Sequence, residues 1–229
     1  METWVSAPRL HTYAKRTAPA KVVDEYVWAA RLNSTYMELI AHVEVLLRNA
    51  VHRELTRRHS GPDAWFDDPT YVRLNRNALN AINKARSRIT SAGHPETPDR
   101  VVAGLSFDFW RFLFVNKHQI DVWNRVRHGL RGLPGSRRST NHFAIFEQAV
   151  IDVYDLRNRV AHHEPLRPSH ALRNHESILL LAQFIDPDAR RWLESVSRVG
   201  PTLASRPGFP PPPASLEDHA RKVRRNQRY

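Results

Sequence analysis

The chain contains no cysteine among its 229 residues. Disulfides, cysteine nucleophiles and cysteine metal sites are therefore excluded. Glycine is scarce, at 8 residues, and no glycine-rich loop suited to cradling phosphate occurs. No His-Glu-x-x-His zinc motif is present. No apolar run approaches the roughly 20 residues that span a bilayer, so no membrane partner is expected. Acidic residues are in deficit: 23 Asp and Glu stand against 35 Lys and Arg, for a net charge of +12. Met1-Glu2-Thr3-Trp4-Val5 has no basic stretch leading into an apolar core, so no signal peptide is expected. A soluble cytoplasmic protein is the default expectation.

Apolar residues make up 41% of the chain, enough for one core with polar extensions. Low glycine and the scarcity of alternating apolar and polar residues lean toward an all-α fold. The positive charge is mostly arginine, which suits bidentate phosphate contacts. RNA, DNA and anionic membrane all fit that charge, as does a basic protein whose charge serves solubility alone.

Three segments are expected: a basic, irregular arm over residues 1–20, a helical domain over 21–199, and a proline-rich basic tail over 200–229 that should be disordered. Within the domain, a long helix is expected from Val22 to Leu55, with Glu44 near the edge of its apolar face. Ser60-Gly61-Pro62-Asp63 should end it, followed by a Trp65-Phe66 plug. A polar, basic helix is expected over 70–91. A short helix, a break near Gly104 and a buried helix should follow over 99–116. A short amphipathic piece through Ile120 and Val126 precedes a basic loop over 129–141 carrying Arg131, Arg137 and Arg138. Further helices are expected over about 141–162, 169–185 and 188–198.

The densest chemistry lies in Leu156-Arg157-Asn158-Arg159-Val160-Ala161-His162-His163-Glu164-Pro165. Pro165 disfavours helical geometry at Glu164, so this cluster should sit at a helix end. Arg157 falls among Phe143, Phe146, Val150, Val153, Tyr154 and Val160 on the apolar face, where a guanidinium is costly without a partner or a site. Arg157 and His162 are five apart, about 140° around a helix, and do not converge on one phosphate from a single helix. Unwinding before Pro165 would repair this, and so would a second copy facing the first across a two-fold axis. Paired histidines can act as base and acid while arginine stabilises a phosphorane-like charge, so no metal or other cofactor is required. RNA suits such a site because its 2′-hydroxyl is an internal nucleophile. The structural alternative makes His162 and His163 partners of the helix dipole and Arg157 an ion pair with Glu44. His162-His163-Glu164 is a weaker metal candidate, since adjacent side chains rarely ligate one ion together, and for Asp67-Asp68 and Asp152 with Asp155 helix capping and solvated surface are the simpler roles. Trp28, Trp65, Trp110 and Trp123 lie in apolar stretches and are expected in the core.

Arg157-Asn158-x-x-x-His162 is similar to the Arg-(Asn/Asp/His)-x(3)-His signature of the HEPN superfamily. More of the chain resembles the Abi-like, abortive-infection (Abi_2-type) proteins of that superfamily. The resemblance runs through Pro8-Arg9-Leu10-His11-Thr12-Tyr13, Tyr26-Val27-Trp28, Val43-Glu44-Val45-Leu46-Leu47-Arg48-Asn49 and Trp65-Phe66-Asp67-Asp68. It continues through Leu105-Ser106-Phe107-x-Phe109-Trp110 to the Leu156–Pro165 cluster, covering roughly residues 8–195. Asp108 stands where glycine is common, and the proline-rich tail lies outside the pattern.

That resemblance implies an all-α, HEPN-like helical bundle with additional N- and C-terminal helices, dimerising with its motifs facing. It implies a metal-independent endoribonuclease that leaves a 2′,3′-cyclic phosphate, serving in phage defence or as a toxin. Partners would be RNA, a second copy of the chain and a neutralising antitoxin, protein or small RNA. Arg157, Asn158 and His162 would be catalytic, with Glu44, Arg159 and His163 supporting them. Arg48, Arg131, Arg137 and Arg138 are candidates for binding RNA. The alternative is a non-catalytic RNA-binding or regulatory module. A third reading is an interaction protein whose charge is incidental.

Overall fold

A computed structural model describes residues 3–114, 119–133 and 140–208. Every regular element in the described residues is helical. None of these helices is long and apolar enough to cross a membrane. The described residues divide into two compact units, one within residues 1–39, 157–175 and 196–229 and the other within residues 40–156 and 176–195.

The first unit begins with α1, Ala7–Ala14. Sequence suggested an irregular arm here. A helix forms because Pro8 lies in its first turn, where a missing N–H costs nothing, and because Leu10 and Tyr13 find a core. The next helix, α2, runs Val22–Arg58, and its residues up to Leu39 belong to this unit. Trp28, Leu32, Tyr36 and Leu39 are buried along it. The Trp28 indole donates to the Thr202 carbonyl (2.7 Å) on α10, Val199–Ala204. The Tyr36 hydroxyl donates to the Ala171 carbonyl (2.5 Å). These bonds let aromatic side chains enter the core without stranding their polar ends. Glu25 is 1% exposed, and the Arg206 guanidinium bonds to both its oxygens (2.7–3.1 Å).

The second unit holds the rest of α2, then α3 (Arg76–Ser91), α4 (Pro98–Ala103), α5 (Phe107–Phe112) and α6 (Gln119–Val126). Most of α7 (Thr140–Ala161), most of α8 (Ala171–Ile185) and α9 (Pro187–Val196) complete it. Asn75 caps α3 through Ala78 N–H (2.9 Å), and Thr97 caps α4 through Arg100 N–H (3.3 Å). The break at Gly104 separates α4 from α5 as the sequence indicated. Phe146 of α7 anchors an aromatic core, with ring centroids 5.0 Å from Phe114, 5.3 Å from Trp123 and 6.2 Å from Phe184. Trp65 and Phe66 are buried as a plug, and Trp65 Nε1–H donates to His52 Nδ1 (2.9 Å). Gly132 lies against the Gln183 carbonyl, where any Cβ would collide.

Candidate functional site

Helix α7 sets the geometry of the arginine–histidine cluster. Its buried stripe comprises Phe146, Ala149, Val150, Val153, Leu156 and Val160. The sequence reading omitted Ala149 and Leu156 and centred the stripe on Arg157. Including them, and leaving out the half-buried Phe143 and Tyr154, turns the stripe by about 50° on a helical wheel, so Arg157 lies toward its border. Arg157 is accordingly half-buried, not buried. Its Nη1 donates to Asn158 Oδ1 (3.3 Å).

The helix ends in a complete C-terminal cap. His162 N–H still bonds to Asn158 O (2.9 Å) in α-helical register. His163 N–H then bonds to Val160 O (3.0 Å) and Glu164 N–H to Arg159 O (2.9 Å). This is the Schellman pattern, which satisfies the last carbonyls and requires a left-handed residue at its turn. That residue is His163, at φ 54°. Glycine is usual there, and a histidine costs about 1 kcal/mol in this region. The turn explains how the chain leaves the helix two residues before Pro165.

The cap brings Arg157, Asn158, Arg159, His162 and His163 to one end of α7 in the first unit. His162 and His163 are exposed. Arg159 Nε donates to Glu164 Oε2 (3.3 Å). Glu44 is half-buried on the part of α2 that belongs to the second unit. Arg48, also in that unit, donates to Asn49 Oδ1 (3.2 Å) and the Ala103 carbonyl (3.5 Å). Arg131 is two-thirds exposed and paired with Asp186 (2.6 Å). Arg137 and Arg138 lie outside the described residues.

Three of the four paired aspartates, Asp67, Asp68 and Asp152, have structural partners. Asp67 pairs with Arg86 (2.6 Å). Asp68 Oδ1 accepts from the Thr70 N–H (2.8 Å) and hydroxyl (2.6 Å), and Oδ2 meets His59 Nε2 (3.0 Å). Those bonds, led by the Thr70 hydroxyl and His59, hold the Asp68 carboxyl well below the usual carboxylate range. Asp152 accepts from Gln148 (2.8 Å). Among the described residues, no three His, Asp or Glu side chains are placed to hold a metal ion.

A cavity of about 730 Å³ opens in the first unit beside the end of α7. Trp4, Tyr13, Tyr26 and Met37 give it apolar walls, while Arg9, Asn33 and His163 bring polar groups. The Tyr13 and Tyr26 rings meet edge to face, with centroids 5.5 Å apart, and burial raises the Tyr13 phenol above its ordinary pKa. Arg9 Nη2 donates to the His163 carbonyl. Asn33 is 8% exposed, and its Nδ2 donates to the Glu164 carbonyl (3.2 Å). Two buried atoms in these walls, Arg9 Nε and Asn33 Oδ1, have no hydrogen-bond partner among the described residues. Each such orphan costs about 1–3 kcal/mol.

Sequence reasoning assigned no site role to Arg9 or Asn33. Arg9 stood inside the Pro8–Tyr13 stretch that carried the resemblance. Asn33 was visible as an amide between the apolar residues Leu32 and Tyr36. Neither signal said that both would meet the end of α7, because that depends on chain folding over more than 130 residues. Comparison of the chain with known protein families, curated proteins and solved structures finds no match.

Proposed function

We propose that the chain is a metal-independent endoribonuclease of the HEPN type, acting as a two-fold dimer in phage defence or as a toxin. The observation that carries this reading is the register of the α7 end. His162 N–H keeps its bond to Asn158 O (2.9 Å), so unwinding does not swing His162 toward Arg157. The two side chains stay about 140° apart. A facing second copy is then the route that sets an arginine of one α7 beside a histidine of the other.

In such a cleft the RNA 2′-hydroxyl attacks the adjacent phosphorus. In each of the two sites His162 accepts the hydroxyl proton, and the neighbouring His163 of the same chain donates a proton to the departing 5′-oxygen. Arg157 stabilises the charge that builds on the non-bridging oxygens. The products are a 2′,3′-cyclic phosphate and a 5′-hydroxyl. Asn158 holds the Arg157 guanidinium, and Arg159 flanks the strand. Each step uses side chains alone, so cleavage should persist in EDTA. Purified wild type, Arg157→Ala and His162→Ala incubated with labelled RNA in EDTA test this. Cleavage by wild type alone, with cyclic-phosphate ends, is the expected result.

One observation favours a non-catalytic RNA-binding module instead. His162 is exposed, and nothing among the described residues orients its ring for proton transfer. Salt-sensitive RNA binding by a folded dimer, without cleavage, would establish that second reading.

A further inference from the structure

We infer that the outward face of α3 is a second RNA-contacting surface, which holds the sugar-phosphate backbone through Arg76, Lys84 and Arg88. The inference deepens the RNA-cleaving reading and rests on it for the identity of the ligand.

The charge of this segment is one-sided. No acidic residue stands between Asp68 and Glu96, the longest such interval in the chain. The acids that bracket it are committed elsewhere. Asp67 and Glu96 both bond to Arg86 (2.6 and 2.8 Å), and Asp68 is held by Thr70 and His59. Arg73, Arg76, Lys84 and Arg88 are exposed and have no carboxylate partner among the described residues. By contrast, Arg131, Arg190, Arg191, Arg198 and Arg206 each pair with an acid.

Two of these placements work against the helix itself. Arg76 is the first residue of α3, where the helix dipole favours an acid, and the first turn holds none. Lys84 and Arg88 stand one turn apart, a like-charge spacing that destabilises a helix. Arg88 donates from Nε to the Lys84 carbonyl (3.2 Å) and from Nη2 to the Gly104 carbonyl (3.1 Å). Those bonds hold the guanidinium over the helix backbone and leave the rest of its fork uncommitted. A bound polyanion relieves both costs.

The face also has the shape and chemistry that a strand requires. Ile82 and Ala85 are buried. At 100° per residue, Arg76, Asn80, Asn83, Lys84 and Ser87 fall within about 100° of arc on the opposite side, and all five are exposed. Arg76 and Lys84 are about 12 Å apart along the axis. The amides of Asn80 and Asn83 lie between them, where they can bond to phosphate and sugar oxygens. An anionic membrane would need an apolar face beside the charge. Here the apolar face is the buried one, and Leu79 alone among the large apolar residues of α3 is exposed. An acidic protein would be anchored by aromatic side chains, and α3 has none.

Binding of labelled single-stranded RNA across a salt series tests this, in full-length His162→Ala protein so that no cleavage intervenes. Arg76→Gln with Lys84→Gln removes two charges from the face. Arg191→Gln with Arg198→Gln removes two from ion pairs elsewhere, at side chains 68% and 65% exposed, and so controls for net charge. Lys84→Gln with Arg88→Gln replaces the first pair if that pair does not match its parent in circular dichroism and melting temperature. Loss of two phosphate contacts should lower the slope of log K against log salt by about 1.4. Affinity should fall roughly tenfold below the control pair. With His162 intact, the face pair should slow cleavage of long RNA at limiting substrate. Cleavage of a dinucleotide, whose single phosphate reports the reacting site, should be unchanged.

A folded face pair that equals the control pair in slope and affinity overturns the surface. So does equal loss of cleavage on long RNA and dinucleotide, since the substitutions then act through the reacting site. A loss confined to binding of phosphatidylserine vesicles overturns it as well and makes the face a membrane contact. Wild type that cleaves RNA, with face and control pairs alike, removes the surface and keeps the nuclease. Face-dependent RNA binding without cleavage by wild type does the reverse.

Discussion

The His163 carbonyl accepts the Arg9 guanidinium across 154 positions of sequence. The bond ties α1 to the end of the motif helix, and it is made by backbone, so it survives changes of the His163 side chain. His163→Gly therefore separates two roles. Removing the side chain relieves the left-handed conformation and should stabilise the fold by about 0.5–1 kcal/mol. If the imidazole assists cleavage, activity falls while stability rises, the opposition common where function holds a residue in strain. The urea midpoint and the cleavage rate read the two effects separately. A lower midpoint would show that the histidine is not strained there.

Glu25 and Arg206 form a buried ion pair in the first unit, with side chains 2% and 14% exposed. The guanidinium also stands 5.2 Å from the Trp28 ring. Arg206→Ala leaves the carboxylate buried without this partner, which should cost about 3–5 kcal/mol. Glu25→Leu combined with Arg206→Met should recover most of that loss, because the expense lies in an unanswered charge. Denaturant unfolding of the three variants checks this. A loss below 1 kcal/mol for Arg206→Ala would mean that water reaches Glu25.

The helices were largely legible because their signals are local. Phe146, Val150 and Val153 recur at helical spacing, and Thr97-Pro98 starts α4 as such residues do. What escaped depended on distance in sequence. Leu10 and Tyr13 make α1 a helix by entering a core whose other members lie far along the chain. The half-burial of Arg157 turned on whether Leu156 or Arg157 faces inward, a choice between adjacent residues that periodicity alone does not make. The histidine cluster was legible as chemistry. The left-handed turn at His163 was not, since histidine carries no glycine-like signal.

Asp68 provides a pH test. Its carboxyl is held below the ordinary range first by the Thr70 hydroxyl and then by His59. A depressed folded pKa gives stability that is fully present above the unfolded value, about 4. That stability is lost as pH falls through the folded value. Asp68→Asn should therefore lower the urea midpoint by a constant amount between about pH 5 and 8. The gap to wild type should close on acidification below about pH 4. A gap that widens with acid would reverse the assignment.

The two-fold cleft makes a prediction that neither single variant can. Suppose each active site takes Arg157 from one chain and His162 from the other. Arg157→Ala and His162→Ala homodimers are then both inactive, with losses on the order of 10²–10⁴-fold. In a mixed dimer one site receives both substitutions and the other receives none. Co-refolding the two variants in equal amounts gives heterodimers in about half the population, each with one intact site. Activity should return to about a quarter of wild type. Were Arg157 and His162 to act within one chain, every site in the mixture would carry one defect, and no activity would return.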